Sequence, residues 1–300
     1  MRINSVMQLF FRGMSTVIFK SPKSVVGSII LTDRCNLSCL HCAVSNLTSI
    51  IYPHSQITSE MHELYRDGVR ILFFYGGEPF LWKDDKTTLR DLVIEARQMG
   101  YLIVNVVTNG TFGLTLPEAD LLLVSLDGTK ESHNKIRGNT YDTIIKNIEN
   151  AASDNICLYM AVNQINKGDI EAVCEIAKHT MHVRSVSFNF HTPYPGTEYL
   201  QLSHAEKQDC CDRISRLIGN GYPVINLRSA FPYIVDNTLK TPCRQCVIME
   251  DNKRWICGRC IDIEGLCEQC GYFFAAEFLL VFSGNIKVIC DFFKTYMKYI

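Results

Sequence analysis

Three cysteines stand close together in the first part of the sequence. Cys35, Cys39 and Cys42 have a C-x3-C-x2-C spacing and directly follow the apolar run at residues 26–31. Three thiolates on one short loop can hold three irons of a 4Fe-4S cube, and the fourth iron, which has no protein ligand, can then bind a small molecule. The alternatives are chance and structural zinc. Zinc pairs usually have C-x2-C or C-x4-C spacing with a fourth ligand, which this loop supplies only if His41 turns inward.

A second group of cysteines lies in the last part of the chain. It contains three C-x2-C pairs, and each pair presents two thiolates to one ion or cluster. Both 4Fe-4S clusters and zinc accept four thiolates, so an auxiliary iron–sulfur cluster, structural zinc and free thiols all remain open. The candidate ligands are Cys243, Cys246, Cys257, Cys260, Cys267, Cys270 and the lone Cys290.

The composition bounds the kind of protein. With 300 residues and 47% hydrophobic content, the chain can bury a full core as one large domain. A formal net charge of -1 with 20% charged residues argues against a general nucleic-acid binder. The cysteines form metal-type pairs in a long chain, no secretory signal is apparent, and no apolar stretch reaches the roughly 18 residues of a membrane span. These features predict a cytoplasmic protein.

Strand and helix patterns alternate from residue 26 onward and predict an α/β protein. The predicted strands cover residues 26–31, 70–75, 101–108, 121–125, 157–163 and 183–190. The predicted helices cover residues 59–67, 86–98, 141–152, 169–179 and 205–218, with Gly68 and Gly219 as stops. We count six strand–helix units. We expect an amphipathic helix in residues 1–25, a core barrel in 26–220 and an irregular, cysteine-rich region in 221–300.

Three motifs stand at the ends of predicted strands. They are Gly76-Gly77-Glu78, Thr108-Asn109-Gly110 and Ser125-Leu126-Asp127-Gly128. Parallel βα folds place ligands at the carboxyl ends of their strands, and glycine lets the backbone approach a ligand closely. Taken singly, each motif has a simpler interpretation, since Gly-Gly is often a tight turn and Asn-Gly a hairpin signal.

The cysteine spacing and the order of these motifs resemble the radical S-adenosylmethionine (radical SAM) superfamily over about residues 26–190. The resemblance implies a partial (β/α)6 TIM-like barrel that holds a 4Fe-4S cluster on Cys35, Cys39 and Cys42. It implies an enzyme that reductively cleaves S-adenosylmethionine to methionine and a 5'-deoxyadenosyl radical, which attacks a C–H or C=C bond. A flavodoxin- or ferredoxin-type protein would be the reductant. A non-catalytic iron–sulfur or zinc protein on the same scaffold is the alternative.

The resemblance also implies contacts to S-adenosylmethionine. Gly76 and Gly77 would bind its methionine end, with Glu78 near the ammonium group. Ser125 and Asp127 would contact the ribose or the carboxylate of the nucleoside.

Four further residues are candidate contacts to the same cofactor. Arg137 can bind the methionyl carboxylate bidentately, with a surface arginine as its alternative. Asn109 and Asn163 are polar residues at the ends of predicted strands. His41 stands where the family usually has an aromatic residue, and its flat ring can lie beside the adenine.

The substrate stays open between a small molecule, a lipid and a peptide. The cysteine-rich region resembles SPASM or twitch auxiliary-cluster domains, although its spacing differs, and these act on peptides and cofactor precursors. A basic amphipathic helix at residues 3–18 and the Cys-x-x-Cys-Gly-Tyr ending resemble, more weakly, enzymes that modify hopanoid lipids. A second apolar helical stripe runs from Ile289 to Ile300. Each stripe either docks on the barrel or lies on an anionic membrane surface, so peripheral membrane contact is also expected.

Overall fold

The computed structural model describes residues 8, 13, 15, 17–19, 23–42, 48–239, 244–296 and 298. Most of the predicted helix at residues 3–18 lies outside the described residues. The candidate ligand Cys243 and the last residue of the tail stripe, Ile300, also lie outside them.

Strands form the centre of the fold. In chain order they are β1 (Val26–Ile30), β2 (Ile71–Tyr75), β3 (Lys83–Asp84), β4 (Thr87–Thr88), β5 (Ile103–Thr108), β6 (Leu121–Ser125), β7 (Ile156–Val162), β8 (Val183–Phe190), β9 (Cys246–Glu250) and β10 (Lys253–Ile256). Eight of them form one sheet in the order β10-β9-β1-β2-β5-β6-β7-β8. The β9–β10 pair is antiparallel and all other neighbours in this sheet are parallel, while β3 and β4 form a separate hairpin.

Helices connect most of the parallel strands. The α-helices are α1 (His54–Asp67), α2 (Leu89–Met99), α3 (Lys130–Arg137), α4 (Tyr141–Glu149), α5 (Ile170–His179), α6 (His204–Gly219), α7 (Phe231–Val235), α8 (Phe273–Phe282) and α9 (Ile286–Tyr296). The predicted α/β class with a mostly parallel sheet is confirmed. The six predicted strands are present as β1, β2, β5, β6, β7 and β8, and five of them are followed by an α-helix, since residues 109–120 between β5 and β6 contain none.

Local sequence signals set several helix ends. Gly68 ends α1 in a left-handed conformation with φ of 109°, as predicted, because only glycine adopts this geometry without steric cost. A capping box between Ser203 and Glu206 begins α6. The predicted stop at Gly219 is wrong. Gly219 is still helical, and the left-handed residue is Gly221, with φ of 82°.

The cysteine-rich region contributes to the main sheet, which its sequence did not predict. β9 pairs in parallel with β1, so that Val26 lies opposite Cys246. Helix α8 contacts two separate regions of the sheet. Phe273 packs edge-to-face on Phe190 of the edge strand β8 with ring centroids 4.8 Å apart, while Phe278 packs against the hydrophobic cluster around Val26 of β1. α8 therefore spans the gap between the β8 edge and the β1–β9 side. The division at residue 220 stays a prediction.

The tail helix α9 docks on the rest of the protein. Phe292 and Tyr296 pack against the main core, and Ile289 and Phe293 line an interior cavity. Of the two alternatives for this stripe, the structure has the docked one. No single described helix is long and apolar enough to span a membrane, and only α8 and α9 taken together, bent by 118°, meet the criteria of length and composition.

Candidate active site

A cavity of about 480 Å³ lies between the sheet and helices α8 and α9. Ligand pockets for small molecules have about this size, in the range of roughly 300–1,000 Å³. Side chains point into it because alternate residues of a strand face the same side of a sheet. Its lining includes Ser28, Phe73, Asn105, Ser125, Tyr159, Ser187 and Asn226 from the sheet side, and Phe274, Glu277, Phe278, Phe282, Phe292 and Phe293 from the two helices.

The three cysteines of the first group lie together at the wall of this cavity. Cys35, Cys39 and Cys42 are all lining residues. The Leu40 N–H donates to the Ile136 carbonyl oxygen at 2.9 Å, which ties their loop to the last turn of α3. Burial raises the pKa of Cys35 and raises the pKa of Cys39 to about 11. Because iron is bound by thiolates, these thiols release their protons when a cation joins them.

Asn109 positions the first cysteine from the end of β5. Its Nδ2 donates to Asn36 Oδ1 at 2.8 Å and to Cys35 Sγ at 3.7 Å. The backbone N–H of Leu37 donates to the same sulfur at 3.4 Å. Hydrogen bonds to the sulfur ligands are one means by which a protein sets the potential of an iron–sulfur cluster.

Gly76 and Gly77 line the cavity where their backbone passes the start of the cysteine loop. The Gly77 N–H donates to the Thr32 carbonyl oxygen at 2.7 Å. A Cβ on Gly77 would lie 2.2 Å from the Arg34 carbonyl oxygen, and one on Gly76 would lie 2.2 Å from that of Thr32. Gly76 also has φ of 147°, which side-chain-bearing residues rarely adopt. The packing of two backbones therefore requires both glycines, in addition to any contact with a ligand.

Glu78 is fully buried, and it is not a lining residue of the cavity. Its Oε1 accepts from Thr108 Oγ1 at 2.8 Å and from the Phe80 N–H at 3.1 Å, and its Oε2 accepts from the Asn109 N–H at 2.7 Å. Burial raises the pKa of Glu78, and these donors oppose that rise. The expected contact of Glu78 with an ammonium group stays a prediction. Glu78 joins the loop after β2 to the end of β5.

A buried ion pair lies beside the cysteine loop. Arg137 Nε donates to Asp127 Oδ2 at 2.5 Å, and Arg137 Nη1 lies 3.8 Å from Cys39 Sγ. Asp127 Oδ1 accepts from the Ala161 N–H at 2.9 Å. Burial opposes the ionisation of Asp127, but Arg137 and His41 hold its pKa below the ordinary value. The guanidinium of Arg137 therefore favours a thiolate at Cys39.

The two members of this pair differ in their access to the cavity. Arg137 lines the cavity, whereas Asp127 has no exposed surface and is not a lining residue. The expected contact of Asp127 with a nucleoside stays a prediction. A guanidinium has five N–H donors, and the contacts to Asp127, Cys39 and His41 use one on each nitrogen of Arg137. Donors remain for a carboxylate.

His41 lines the cavity next to this pair. Burial lowers the pKa of His41 to about 4, so the ring is neutral at pH 7. Its Nε2 lies 3.3 Å from Asp127 Oδ2, and its Nδ1 has no hydrogen-bond partner among the described residues. A buried polar atom without a partner costs free energy unless a ligand supplies one. His41 therefore fits the wall of a cofactor site.

The remaining predicted contacts divide into two groups. Ser125 lines the cavity, but Asn163 is fully buried and is not a lining residue. The Asn163 side chain accepts from the Ile165 N–H at 2.9 Å and so holds the turn after β7, and its contact with the cofactor stays a prediction. His191 was not predicted as a site residue, and it lines the cavity with its ring centroid 6.3 Å from that of His41. Its position directly after a predicted strand was the available signal.

Four cysteines of the second group surround a smaller cavity. Cys257, Cys260, Cys267 and Cys270 all line a space of about 50 Å³. On the same measure one water needs about 10–15 Å³, so the space is larger than a single ion requires. Burial, together with the neighbouring Cys260 and Cys267, raises the pKa of Cys270 to about 12. No three described His, Cys, Asp or Glu side chains are close enough together to hold one ion.

Three candidate ligands of the second group remain. Cys246 is buried in β9 and lines the main cavity, and Cys290 is exposed on α9. The Cys246 carbonyl oxygen accepts from the Cys257 N–H at 2.7 Å, which places Cys246 next to the four thiols, and the roles of Cys246 and Cys290 as ligands stay predictions. Cys243 lies outside the described residues.

The donor sets fit the groups that the sequence resemblance implies. The three thiols of Cys35, Cys39 and Cys42 lie beside a cavity. The wall of this cavity also contains the guanidinium of Arg137, which has unused N–H donors, and the neutral ring of His41. This set fits a 4Fe-4S cluster with one open iron and a ligand beside it. Four thiols around the smaller space fit a cluster with four protein ligands.

The fold and this site together define a class: an iron–sulfur protein of the partial barrel type, with its open cluster site at the carboxyl ends of parallel strands. Comparison with known proteins gives the family. The model of the radical SAM superfamily matches residues 29–177. The chain belongs to the radical SAM superfamily, which uses a 4Fe-4S cluster and S-adenosylmethionine as cofactors.

Two curated relatives extend the similarity. The chain is 28% identical over 255 residues to the Fe-coproporphyrin III synthase of Methanosarcina barkeri, covering 78% of this chain and 61% of that protein. It is 31% identical over 196 residues to the probable GTP 3',8-cyclase of Methanosarcina acetivorans, covering 58% of this chain and 52% of that one. The matched part of this chain therefore spans between half and two thirds of each relative.

A solved structure shows the same fold. The crystal structure of Streptococcus suis SuiB bound to the precursor peptide SuiA has a TM-score of 0.64 and 12% identity, covering 93% of this chain and 71% of SuiB. At this identity the likeness concerns the fold alone.

Proposed function

We propose that this protein is a radical SAM enzyme that reductively cleaves S-adenosylmethionine and modifies an unactivated C–H or C=C bond of a small molecule. The observation that carries the proposal is the position of Cys35, Cys39 and Cys42 on the wall of a cavity of about 480 Å³. When bound, the cluster supplies one electron to the sulfonium of S-adenosylmethionine, which gives methionine and a 5'-deoxyadenosyl radical.

The residues of the chain have separate tasks in this scheme. Arg137 binds the methionyl carboxylate while its pairing with Asp127 keeps the guanidinium beside Cys39. The neutral ring of His41 lies in the cavity wall, where it can pack beside the adenine of the cofactor. Gly76 and Gly77 hold the cysteine loop at its distance from β2. The apolar walls of the cavity exclude water, which protects a radical from quenching.

The size of the cavity and the relatives support a small-molecule substrate. A space of about 480 Å³ takes a drug-sized molecule, whereas α8 and α9 form much of its wall and leave a peptide little room inside. The names of both curated relatives refer to small molecules, coproporphyrin and GTP. We therefore favour a cofactor precursor or similar metabolite over a peptide or a lipid.

The second thiol group is proposed to hold an auxiliary cluster. Its ligands would be Cys257, Cys260, Cys267 and Cys270, and structural zinc is the competing occupant. We expect the triple Cys35/Cys39/Cys42→Ala variant to retain iron and sulfide at this site. Stoichiometric zinc without sulfide in that variant would show a zinc site instead, and its metal would then contribute to folding.

The cellular setting follows from the same chemistry. A reducing compartment keeps thiols available for metal binding, so we propose a cytoplasmic enzyme with a flavodoxin- or ferredoxin-type reductant. Peripheral membrane contact through residues 3–18 stays a proposal of its own. Co-sedimentation with anionic vesicles at low salt tests it, with Phe10→Glu plus Phe11→Glu as the variant expected to lose binding.

Release of 5'-deoxyadenosine tests the proposed activity. Anaerobically reconstituted protein with dithionite and S-adenosylmethionine is expected to release it, and Cys35→Ala, Cys39→Ala and Cys42→Ala are each expected to abolish release because each removes an iron ligand. Cys290→Ala is the matched control, since this cysteine is exposed and away from both thiol groups. Release by Cys35→Ala, Cys39→Ala and Cys42→Ala that equals release by the parent protein would contradict the proposal.

A further inference from the structure

A buried carboxylate lies in the wall of the main cavity, away from the cysteine loop. Glu277 belongs to α8, has 6% exposure and is a lining residue. Its Oε1 accepts from the Leu227 N–H at 2.8 Å and from Asn226 Nδ2 at 3.3 Å. Its Oε2 has no hydrogen-bond partner in the described part of the chain and is not one of the fully enclosed polar atoms. This second oxygen therefore faces the cavity.

No described residue supplies a positive charge to Glu277. The charged or titratable groups that influence it are Asp291 of α9 and the Tyr159 hydroxyl of β7. Asp291 adds repulsion, and its own carboxylate accepts from the N–H and hydroxyl groups of Ser229. Burial raises the pKa of Glu277 to about 7. An ionised carboxylate in such a place is costly unless a partner compensates it, and the open side of Glu277 is the cavity.

Beyond these polar neighbours, the part of the cavity wall formed by α8 and α9 is largely aromatic. Phe274 stands one helical turn before it and Phe278 directly after it, and both line the cavity. Phe292 and Phe293 of α9 contribute further rings to the same wall. Aromatic side chains bury large areas and stack on flat rings. A ligand that fits this wall is therefore apolar and flat, with one polar group directed at Glu277.

We propose that Glu277 anchors the substrate in the barrel cavity, and that the substrate carries a protonated amine or a ring N–H on an otherwise apolar, aromatic framework. This inference rests on the proposed function and names the class of substrate for the same cavity. A carboxylate that accepts a charge-assisted hydrogen bond in a site shielded from water gives both affinity and orientation.

Three naphthalene probes of equal framework test the inference. They are 2-naphthylmethylamine, 2-naphthylmethanol and 2-naphthoate, which are cationic, neutral and anionic at pH 8. Their dissociation constants are measured by anaerobic equilibrium dialysis against the reconstituted protein loaded with S-adenosylmethionine. The amine is expected to bind about tenfold more tightly than the alcohol, since one hydrogen bond to a charged group contributes about that factor.

Variants separate the anchor from the aromatic wall. Glu277→Gln is expected to remove the preference for the amine, whereas Phe278→Ala is expected to weaken all three probes together. Glu264→Gln, which changes an exposed glutamate, is the matched control and should alter none of them. Parent protein that binds no probe, or that binds the alcohol or naphthoate as tightly as the amine, would overturn the inference without any variant. A persistent amine preference in Glu277→Gln would also overturn it.

The same samples separate this inference from the proposed function. Parent protein that releases 5'-deoxyadenosine but shows no preference for the amine contradicts only the role of Glu277. Parent protein that prefers the amine but releases no 5'-deoxyadenosine contradicts only the proposed activity.

Discussion

Glu277→Gln is expected to change the stability of the protein in a pH-dependent way. The pKa of Glu277 rises from 4.5 to about 7 on folding because of burial. Between these two values the folded state binds a proton that the unfolded state has released, so this group makes the folded state less stable as pH rises. The total loss above pH 7 is about 3 kcal/mol, at 1.36 kcal/mol for each unit of pKa change. Roughly 2.5 kcal/mol of it falls between pH 5 and pH 8.

Glutamine keeps the shape and the acceptor of a protonated glutamic acid but does not ionise. The free energy of unfolding of the variant, minus that of the parent, is therefore expected to be about 2.5 kcal/mol more positive at pH 8 than at pH 5. Urea unfolding of the metal-free protein, kept reduced and followed by circular dichroism, measures both values. Other groups that titrate in this range are common to both proteins and cancel in the difference.

A control variant and one possible result test this prediction. Glu264→Gln, at an exposed position, is the matched control and should show a much smaller pH dependence. A difference between variant and parent that is the same at pH 5 and pH 8 would refute the reasoning, because it would mean that Glu277 is ionised in the folded protein as readily as in the unfolded one.

Further predictions concern the cysteine loop and its support. Asp127→Ala is expected to lower the free energy of unfolding by about 3–5 kcal/mol, because it leaves the guanidinium of Arg137 buried without its partner. Urea unfolding measures this loss, and a change below about 1 kcal/mol would contradict the role of the ion pair. Gly77→Ala is expected to displace the loop and lower the iron content on reconstitution, since its Cβ would meet the Arg34 carbonyl oxygen. Gly113→Ala, at a position with open space, is the matched control. Equal iron content in both would contradict the packing argument.

The sequence predicted the parts of the site that depend on spacing along the chain. The cysteine loop, Gly76 and Gly77 lie where strand periodicity placed them, because a parallel βα fold brings consecutive strand ends together. The roles of Glu78 and Asp127 could not be predicted. Both are polar residues at strand ends, and only the three-dimensional packing shows that their carboxylates are enclosed by the protein.

The cysteine-rich region shows the other limit of the sequence. β9 is only five residues long and is followed by the turn residues Asp251 and Asn252, so its periodicity is too short to distinguish a strand. Its place beside β1 depends on contacts between residues far apart in the chain. Helix α3 was missed because it is polar over most of its length. The role of Glu277 could not be predicted either, since nothing local indicates which way its side chain points.

Electron paramagnetic resonance of the reduced protein tests the central claim most directly. The Cys257/Cys260/Cys267/Cys270→Ala variant removes the second thiol group, so the remaining signal reports the cluster on Cys35, Cys39 and Cys42 alone. We expect a 4Fe-4S signal in this variant whose g values change when S-adenosylmethionine is added, because an open iron accepts it as a ligand. A signal that does not change on addition of S-adenosylmethionine would contradict the claim.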